Sequence, residues 1–580
     1  MPLGVAVKTF VSVAPILRFG VFELDSRSGE LRKQGMKIKL HGQPVEILAL
    51  LLERPGEVVT REELRRKLWQ ADTFVDFEQG LNNAMKRLRA ALDDDAETPR
   101  FIETLPRRGY RFLGPFAPAT LQASPSVAVL PFVNLSADPE NEVFADGMSE
   151  EIISALMQIK ELRVAARTSS FSFKGKYLDL RVIGEQLNVR TVLEGSVRQS
   201  GKHLRVTAQL VNVADGYHLW SEKYDREMKD IFEVQDEIAR SIARRLEVTL
   251  EGEQPLFVRG GTENLDAFKL YQQGRVLCFH RGPRFLRAAE FFQQAVALDP
   301  NYAAAWSALA EAQNMLGFYG LAHPAKCLPQ AKDAAQRALA LGSSLAEAHN
   351  GLAMSYLLYD WDWNRAQAEF LAALELNPRY APALCWYAVF YLQFVAGRFE
   401  EGIAQFEQVV ESDPFSAWAK GMLACLYVNA GRLDEAISTA RAAQQFEPDS
   451  VLPRWALFTG LNALGAYEEA AKVGESALGI TGRHTWFMGS LALTYTKLGR
   501  PEDSEAVYRE LQWRSKREYV APGVLAWAAS GRGDRDGAIQ YAKEAHAIGD
   551  PVLIAAKYWP SFARLREDPR FEEILKSRGW

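Results

Sequence analysis

The chain has 580 residues, of which 48% are hydrophobic and 24% are charged, a composition typical of a globular protein with buried cores. At roughly 100–200 residues per domain, this length predicts about three to five domain-sized units. The formal net charge of −5 excludes a chain that is basic throughout, so any affinity for nucleic acid must come from a local basic surface.

Residues 16–116 contain the first set of predicted elements. Apolar and polar residues alternate in short bursts up to Leu40, which predicts a small antiparallel sheet. Apolar residues then recur at helical spacing from Val45 to Leu52, and Pro55-Gly56 ends that helix. Thr60 and Glu63 have the spacing of a capping box, which predicts a second helix over residues 62–69.

A third helix is predicted from about residue 78 to Leu92, with one apolar stripe. Its outward face is predicted to carry Asn82, Asn83, Lys86, Arg87 and Arg89. Arginine and lysine reach guanine edges or phosphates and asparagine pairs with adenine, so this face suits a major groove. Residues 101–112 predict a hairpin with Arg107 and Arg108 at its tip and Gly109 able to adopt a positive φ.

Three separated motifs in this region occur in order: the leading strands, the Lys86-Arg87-Leu88-Arg89 segment, and the closing Gly109-Tyr110-Arg111-Phe112. On these motifs the region resembles the OmpR/PhoB-type winged-helix domain, and residues 105–110 look most like its CadC/ToxR-type branch. The resemblance implies that the third helix enters the major groove and that the wing reaches the adjacent backbone or minor groove. The predicted DNA-binding residues are Asn82, Asn83, Lys86, Arg87, Arg89, Arg107 and Arg108.

The chain departs from this family in two ways. We expect no receiver domain ahead of the winged helix, and no membrane helix after the wing. Residues 16–116 hold 18 Lys and Arg against 16 Asp and Glu, so the domain is only mildly basic. Tight binding to double-stranded DNA is therefore expected to need a homodimer or clustered sites.

Residues 117–125 are rich in Pro, Ala and Ser and predict a linker. Strands and helices then alternate over residues 126–252, which predicts an α/β domain. Its opening strand from Val127 to Phe132, a turn at 144–147 and the segment 193–197 resemble the TolB N-terminal-like domain. That resemblance implies a role in sensing, binding or assembly.

Two features of the middle domain raise the possibility of a chemical site. Residues 195–203 superficially resemble a phosphate-binding loop, but five residues separate the glycines and His203 replaces the expected Ser or Thr, so a β-turn is the favoured interpretation. Asp146, Glu150 and Glu151 lie near a predicted helix start, where acidic residues favour the helix dipole. Helix capping is therefore favoured over a metal site.

Residues 265–549 contain a repeat of 34 residues. Its glycines are Gly397, Gly431, Gly465, Gly499 and Gly533, and the small residues that follow five positions later are Gly402, Ala436, Ala470, Ser504 and Ala538. The period and pattern resemble tetratricopeptide repeats and predict about eight repeats. The glycine would end the first helix of each repeat, and the small residue would let two helices approach closely.

Residues 550–580 are predicted to cap the array, because the last repeat of a solenoid would otherwise expose an apolar face. A stacked array also implies a concave groove suited to an unknown protein or peptide partner. The aromatic stretch 356–363 departs from the repeat pattern. It is interpreted as packing at a slightly longer repeat, with protrusion from the array as the alternative.

No cofactor and no metal site is predicted. Cys278, Cys327, Cys385 and Cys425 are far apart and are interpreted as core residues, and no histidine has metal-ligand or triad spacing. The longest apolar run, residues 383–392, is shorter than the roughly 20 residues that a membrane span needs. Residues 1–17 make a poor signal peptide, so we expect a cytoplasmic protein.

Together these patterns predict a multidomain α+β chain that consists of a winged helix-turn-helix, a small α/β domain and an all-α solenoid. The predicted function is that of a sequence-specific DNA-binding transcription regulator, whose other parts sense or recruit a partner. The alternative is a protein-interaction scaffold whose winged helix does not bind DNA specifically. An enzyme is not expected: such middle and repeat parts sometimes follow a cyclase domain, but here the winged helix occupies that place.

Overall fold

The computed structural model describes residues 16–577, apart from 69–76, 118–124, 247–260 and gaps of up to three residues elsewhere. The chain divides into two compact units, Met1–Pro125 and Ser126–Trp580. Most of the predicted linker, and Arg107 of the predicted wing, lie outside the described residues.

The described residues of the first unit form two sheets and three helices. In chain order the elements are β1 (Ile16–Phe19), β2 (Phe22–Asp25), β3 (Glu30–Lys33), β4 (Met36–Ile38), α1 (Gln43–Glu53), β5 (Val58–Thr60), α2 (Arg61–Leu68), α3 (Phe77–Leu92), β6 (Ile102–Leu105), β7 (Gly109–Phe112) and β8 (Phe116–Ala117). The first sheet has the order β4-β3-β2-β1-β8 and the second has the order β5-β7-β6. All three predicted helices are present, because their apolar residues recur at the helical period.

Four aromatic rings join the two sheets of this unit. Phe19 of β1 lies 5.2 Å from Phe112 of β7 and 5.8 Å from Phe101, between ring centroids. Phe22 lies 5.6 Å from Phe101. The apolar side chains of α1 and α3 complete the same core, so the third helix shares one apolar core with both sheets.

The second unit begins with an α/β region built on a sheet of the order β11-β9-β12-β13-β14, with β10 also paired to β12. Its elements are β9 (Ser126–Val129), β10 (Val133–Asn134), α4 (Asn141–Met157), β11 (Arg163–Val164), α5 (Arg167–Phe171), α6 (Leu180–Gln186), β12 (Thr191–Ser200), β13 (His203–Asn212), β14 (His218–Glu227) and α7 (Ile231–Arg245). The described residues of the segment 195–203 lie in the paired strands β12 and β13, which fits the hairpin interpretation, and the predicted turn at 201–202 lies outside the described residues.

The predicted position of the acidic residues of α4 is wrong. This helix begins at Asn141, so the segment 144–147 is helical and does not form a turn. Asp146, Glu150 and Glu151 therefore lie in the second and third turns, beyond the backbone N–H groups that a cap satisfies. Glu150 is buried instead between two arginines, Arg167 at 3.0 Å and Arg275 at 2.6 Å.

Between residues 265 and 548 the described chain forms eight helical hairpins, in agreement with the predicted repeat number. The helix pairs are α8 (Leu265–His280) with α9 (Arg284–Leu298), α10 (Ala303–Phe318) with α11 (Pro324–Leu341), α12 (Ala346–Ser355) with α13 (Trp363–Leu376), α14 (Ala381–Trp386) with α15 (Phe399–Ser412), α16 (Ala417–Asn429) with α17 (Leu433–Phe446), α18 (Val451–Leu464) with α19 (Tyr467–Ile480), α20 (Thr485–Lys497) with α21 (Pro501–Ser515), and α22 (Pro522–Arg532) with α23 (Arg535–Ile548). A last helix, α24, spans Pro569–Lys576.

The glycines of the 34-residue register all take the left-handed conformation, with φ between 66° and 95°. Only glycine adopts this conformation without strain, which explains the periodic signal. Where the aromatic stretch departs from the period, α12 continues into a π-helical turn, Tyr356–Asp360, which absorbs extra length. Leu357 and Leu358 of that turn are buried, which supports packing over protrusion.

The α/β region and the repeats share contacts throughout the second unit. Phe268 of α8 belongs to the core of the α/β region and lies 6.4 Å from Phe144. The Ser169 hydroxyl donates a hydrogen bond to Asp413, in the loop between α15 and α16. The first repeat helix thus completes the core of the preceding region.

The end of the chain packs against the first helices of four of the hairpins, where the sequence predicts a groove that is open to a partner. Trp559 lies within 6.2 Å of Phe394, Trp455, Trp486 and Trp527, between ring centroids. These four residues lie on the first helices, or their π-helical extension, of the fourth, sixth, seventh and eighth hairpins. The predicted cap therefore also supplies the interior of the solenoid.

Candidate DNA-binding surface

The exposed face of α3 carries four of the predicted contact residues. Asn82, Asn83, Lys86 and Arg87 are all exposed, whereas Leu81, Met85, Leu88 and Leu92 of the same helix are buried. At about 100° per residue, the four exposed side chains fall within one arc of the helix. The helix thus presents two amides and two cations together on the side that faces away from the core.

Arg89 does not share this exposure, contrary to the prediction. It is 9% exposed, and its Nη2 donates hydrogen bonds to the carbonyl oxygen of Ile102 at 2.7 Å and to the Thr104 hydroxyl at 2.8 Å. Around the helix, Arg89 lies at the boundary between the apolar stripe and the exposed arc, so its long side chain can reach β6. Arg89 therefore joins the helix to the hairpin.

Asp94, just beyond the end of α3, makes a second link to the hairpin. Its two carboxylate oxygens accept hydrogen bonds from the backbone N–H groups of Phe101, at 3.1 Å, and Ile102, at 3.0 Å. Together with Arg89, this carboxylate fixes where β6 begins relative to the helix. Helix and hairpin are consequently presented to a ligand as one body.

The hairpin of β6 and β7 forms the predicted wing. Arg108 is exposed in its turn, and the backbone N–H of Arg108 donates to the carbonyl oxygen of Leu105 at 3.0 Å. Gly109 does not have the positive φ that was predicted. Glycine is needed there because a Cβ would lie 2.1 Å from the carbonyl oxygen of Val59 on the neighbouring strand β5.

Arg61 is a basic residue beside the wing that the sequence analysis missed. Its backbone N–H donates to the carbonyl oxygen of Arg108 at 3.1 Å, and its guanidinium donates to the Tyr110 hydroxyl at 3.2 Å. The only sequence signal for it is its position directly after the capping residue Thr60. The contacts of Arg61 with Arg108 and Tyr110 place a further cation next to Arg108.

The predicted capping box at the start of α2 is present. The Glu63 carboxylate accepts from the Thr60 backbone N–H at 2.8 Å, and the Glu63 backbone N–H donates to the Thr60 hydroxyl at 3.2 Å. The Thr60 backbone and hydroxyl hydrogen bonds, and then Arg54, lower the pKa of Glu63 to about 2. The carboxylate is therefore ionised at neutral pH and keeps the helix start fixed.

Residues 35–112 match the family described as "Transcriptional regulatory protein, C terminal". The N-terminal unit contains a DNA-binding domain of the OmpR/PhoB type. Residues 122–241 match the second domain of HilA/YgeH-like transcriptional regulators, and residues 395–458 match a tetratricopeptide repeat family. The middle region is therefore similar to the second domain of HilA/YgeH-like regulators. Its resemblance to the TolB N-terminal-like domain stays a prediction.

Three relatives illustrate the range of similarity. A Rhizobium meliloti protein named as an adenylate cyclase is 39% identical over 243 residues, which is 41% of this chain and 41% of that protein. The transcriptional regulator HilA of Salmonella typhimurium is 26% identical over 430 residues, 72% of this chain and 73% of HilA. The transcriptional activator CadC of Escherichia coli is 26% identical over 102 residues, 17% of this chain and 20% of CadC.

Two other features are absent from the part of the chain that the structure describes. Among the residues that the structure describes, no group of three His, Cys, Asp or Glu side chains is placed to hold a metal ion. In the same part of the chain, no helix combines the length and the apolar character needed to cross a bilayer. Cys327 and Cys385 are buried, and Cys278 and Cys425 are partly buried.

Proposed function

We propose that this protein is a transcription regulator that binds double-stranded DNA in a sequence-dependent way, with α3 in the major groove and the wing on the adjacent backbone or minor groove. The observation that carries the proposal is the exposed arc of two amides and two cations on a helix that is tied to a wing. The similarity to HilA along most of both chains supports regulation of transcription as the outcome of binding.

We assign separate roles to the residues of this surface. Asn82, Asn83, Lys86 and Arg87 are proposed to contact base edges and phosphates from α3. Arg107 and Arg108 are proposed to contact the backbone from the wing, and Arg61 adds a cation beside Arg108. Arg89 is proposed to act as a positioning residue, since its guanidinium is used within the protein.

The second unit is proposed to recruit a protein partner. Its α/β region and repeats share a core, so it offers one continuous outer surface. Because the inner face of the array is occupied by Trp559 and its neighbours, the partner would bind on that outer surface. The proposed function requires no chemical step, and we therefore propose a regulator without enzymatic activity, although one relative carries an adenylate cyclase name.

The test begins with selection of DNA sequences from random duplexes by the full chain, followed by titration of the selected duplex at several salt concentrations. Arg87→Ala is expected to weaken binding roughly tenfold or more if it contacts a base, because such a contact contributes about 1–3 kcal/mol. If it contacts a phosphate instead, the slope of log K against log salt should fall by about one.

A matched control is Lys37→Ala. It removes one exposed cation from β4, on the other sheet of the same unit. We expect this variant to bind the selected duplex like the wild type. Equal binding by the wild type and by Arg87→Ala, or a random pool that yields no enriched sequence, would contradict the proposal.

The second candidate is an interaction scaffold without specific DNA binding. The small excess of basic residues in 16–116 favours it, because electrostatic attraction to DNA is then weak. The two candidates differ in a simple way. A scaffold would enrich no DNA sequence and would still retain a stoichiometric protein partner through the second unit.

A further inference from the structure

Strand β14 forms an exposed edge of the sheet in the second unit. It is the last strand in the order β11-β9-β12-β13-β14, and its described neighbour is β13 alone. Trp220 and Tyr224 point into the core, towards α7, while the other eight residues of the strand are exposed. An edge strand of ten residues offers unpaired backbone groups to another chain unless its side chains prevent the approach.

The charges along this edge have an unusual order. Glu222 and Lys223 precede Tyr224, and Asp225 and Arg226 follow it, so that each charge has its opposite at the same distance on the other side of Tyr224. Lys223, Asp225 and Arg226 keep 52%, 55% and 44% of their side-chain surface exposed, so they can reach a neighbouring chain. If the order of residues 222–226 is reversed and each charge is replaced by the opposite charge, the same charge pattern results.

This order matches the geometry of an antiparallel pair of identical strands. Residues that lie directly opposite each other in such a pair point to the same face of the sheet and interact. With Tyr224 opposite the partner's Tyr224, each Glu222 lies opposite the partner's Arg226, and each Lys223 lies opposite the partner's Asp225. Two-fold symmetry makes four pairs of opposite charge, two on each face.

The same charges disfavour the neighbouring registers. A two-fold axis perpendicular to the sheet must pass through a residue pair of the same number, so the next alternatives are centred on Lys223 or Asp225. The first places Lys223 opposite the partner's Lys223, and the second places Asp225 opposite the partner's Asp225. Like charges directly opposite are unfavourable. The register centred on Asp225 keeps only the two pairs of Lys223 with the partner's Glu227, so the register centred on Tyr224, with four pairs of opposite charge, is favoured.

Existing contacts within the chain hold the side chains near these positions. Asp225 accepts a hydrogen bond from Arg205 of β13 at 2.6 Å and lies 3.6 Å from Lys223. Arg226 lies 3.6 Å from Glu237 of α7. Charges on an edge strand ordinarily prevent pairing with other chains, because an arbitrary strand brings no matching charges. An identical strand brings them all.

We propose that two copies of this chain associate through antiparallel pairing of β14 with β14, centred on Tyr224, to form one sheet across the dimer. The pairing does not require DNA, so it can fail or hold independently of the proposed function. If both are correct, the dimer carries two winged helices and compensates for the weak positive charge of each.

Sedimentation velocity of the full chain over a range of protein concentrations measures the association directly. The wild type is expected to form dimers that dissociate as salt is raised, because the four exposed pairs are screened. Glu222→Arg alone and Arg226→Glu alone each place like charges opposite one another and are expected to weaken self-association by about tenfold or more. Glu469→Arg, which reverses one charge of the exposed Arg441–Glu469 pair on the array, should leave the dimer unchanged.

Two rescue experiments separate charge pairing from damage to the fold. The double variant Glu222→Arg/Arg226→Glu exchanges the charges and should again form dimers. An equal mixture of the two single variants should form heterodimers, since each strand then meets the opposite charges of the other. Monomeric wild type, dimeric single variants, or failure of the exchanged pairs to restore association would overturn the proposal.

Hydrogen exchange provides a measurement on the wild type alone. Amides of 218–227 that face away from β13 are expected to exchange faster when the dimer is dissociated by dilution or salt. Amides of β12, in the interior of the sheet, serve as the internal reference. Identical exchange of β14 in concentrated and dilute protein would exclude pairing at this edge even if the charge variants did not fold.

Discussion

Arg89 illustrates how a single side chain connects α3 to the hairpin of β6 and β7. Its guanidinium donates to the Ile102 carbonyl and to the Thr104 hydroxyl and is almost entirely buried. Removal of one partner from such a buried, charge-assisted contact costs about 2 kcal/mol. We therefore expect Arg89→Ala to lower the free energy of unfolding of residues 1–125 by about that amount, as measured in urea.

Arg87→Ala provides the matched control in the same helix. Its side chain is exposed, so its removal should change the free energy of unfolding by less than about 0.5 kcal/mol while it weakens DNA binding. Arg89→Ala is thus expected to lower the free energy of unfolding, whereas Arg87→Ala is expected to lower the affinity for DNA. An Arg89→Ala variant as stable as the wild type would show that the contact with β6 does not support the wing.

Residue patterns predicted most of this surface, and the exceptions have physical reasons. The exposure of Asn82, Asn83, Lys86 and Arg87 follows from the helical period, which is a local property. Arg89 lies at the boundary of that pattern, where a long side chain can turn inward or outward. The role of Gly109 depends on Val59, about fifty positions earlier in the chain, and no local pattern contains that contact.

At the scale of elements, the packing of α4 on α8 buries ionisable groups and predicts a pH dependence. Burial, and then the neighbouring Glu150, raise the pKa of Glu151 to about 7, while Arg275 and a hydrogen bond from Gln272 oppose the shift. Burial likewise raises the pKa of the nearby Glu347. The folded state therefore binds protons more tightly than the unfolded state between about pH 4.5 and 7.

The raised pKa of Glu151 makes the second unit less stable at high pH than at low pH. Because the pKa of Glu151 is higher in the folded state, this group stabilises the fold fully at pH values below its unfolded-state pKa of 4.5. That contribution is lost as the pH rises through 7. Glu151→Gln keeps an oxygen for Gln272 and removes the charge, so it should stabilise the second unit at pH 8 by roughly 2 kcal/mol and have little effect at pH 5. Thermal unfolding at both pH values checks this, and equal shifts at both would contradict it.

His484 serves as the control for pH effects that arise elsewhere in the unit. Burial, and then Arg514, lower its pKa to about 4, so its contribution has the opposite sign and is lost as the pH falls from 6.5 towards 4. A His484→Gln variant should flatten the acid side of the stability curve. It should leave the change that Glu151→Gln produces at pH 8 intact.

The strands and helices were easier to predict from the sequence than the residues against which they pack. The strands and helices of the α/β region follow from alternation and helical period, and the 34-residue glycine register follows from the need for a left-handed residue at each helix end. The start of α4 at Asn141 was missed because its first turns are buried on several sides and show no single apolar stripe. Glu150 consequently looked like a cap although it lies between Arg167 and Arg275.

At the scale of the whole second unit, the C-terminal segment changes how the array is stabilised. In a simple solenoid each repeat contacts only its neighbours, so stability is a sum of local terms. Here the turn that carries Trp559 contacts repeats that are separated by up to four positions along the array. Such contacts between distant parts of the chain could not be read from a repeat pattern, which describes only adjacent helices.

These contacts predict that Trp559 makes the array unfold as one cooperative unit. Its side chain is 6% exposed among aromatic rings, and replacement of a buried Trp by Ala costs about 3–5 kcal/mol. Trp559→Ala should lower the unfolding temperature and broaden the transition, because distant repeats lose their shared contact. Calorimetry of the full chain measures both effects. As a control, Trp513→Ala changes a side chain that is 56% exposed and should leave the transition almost unchanged. Equal melting of the two variants would show that the contacts of Trp559 do not couple the repeats.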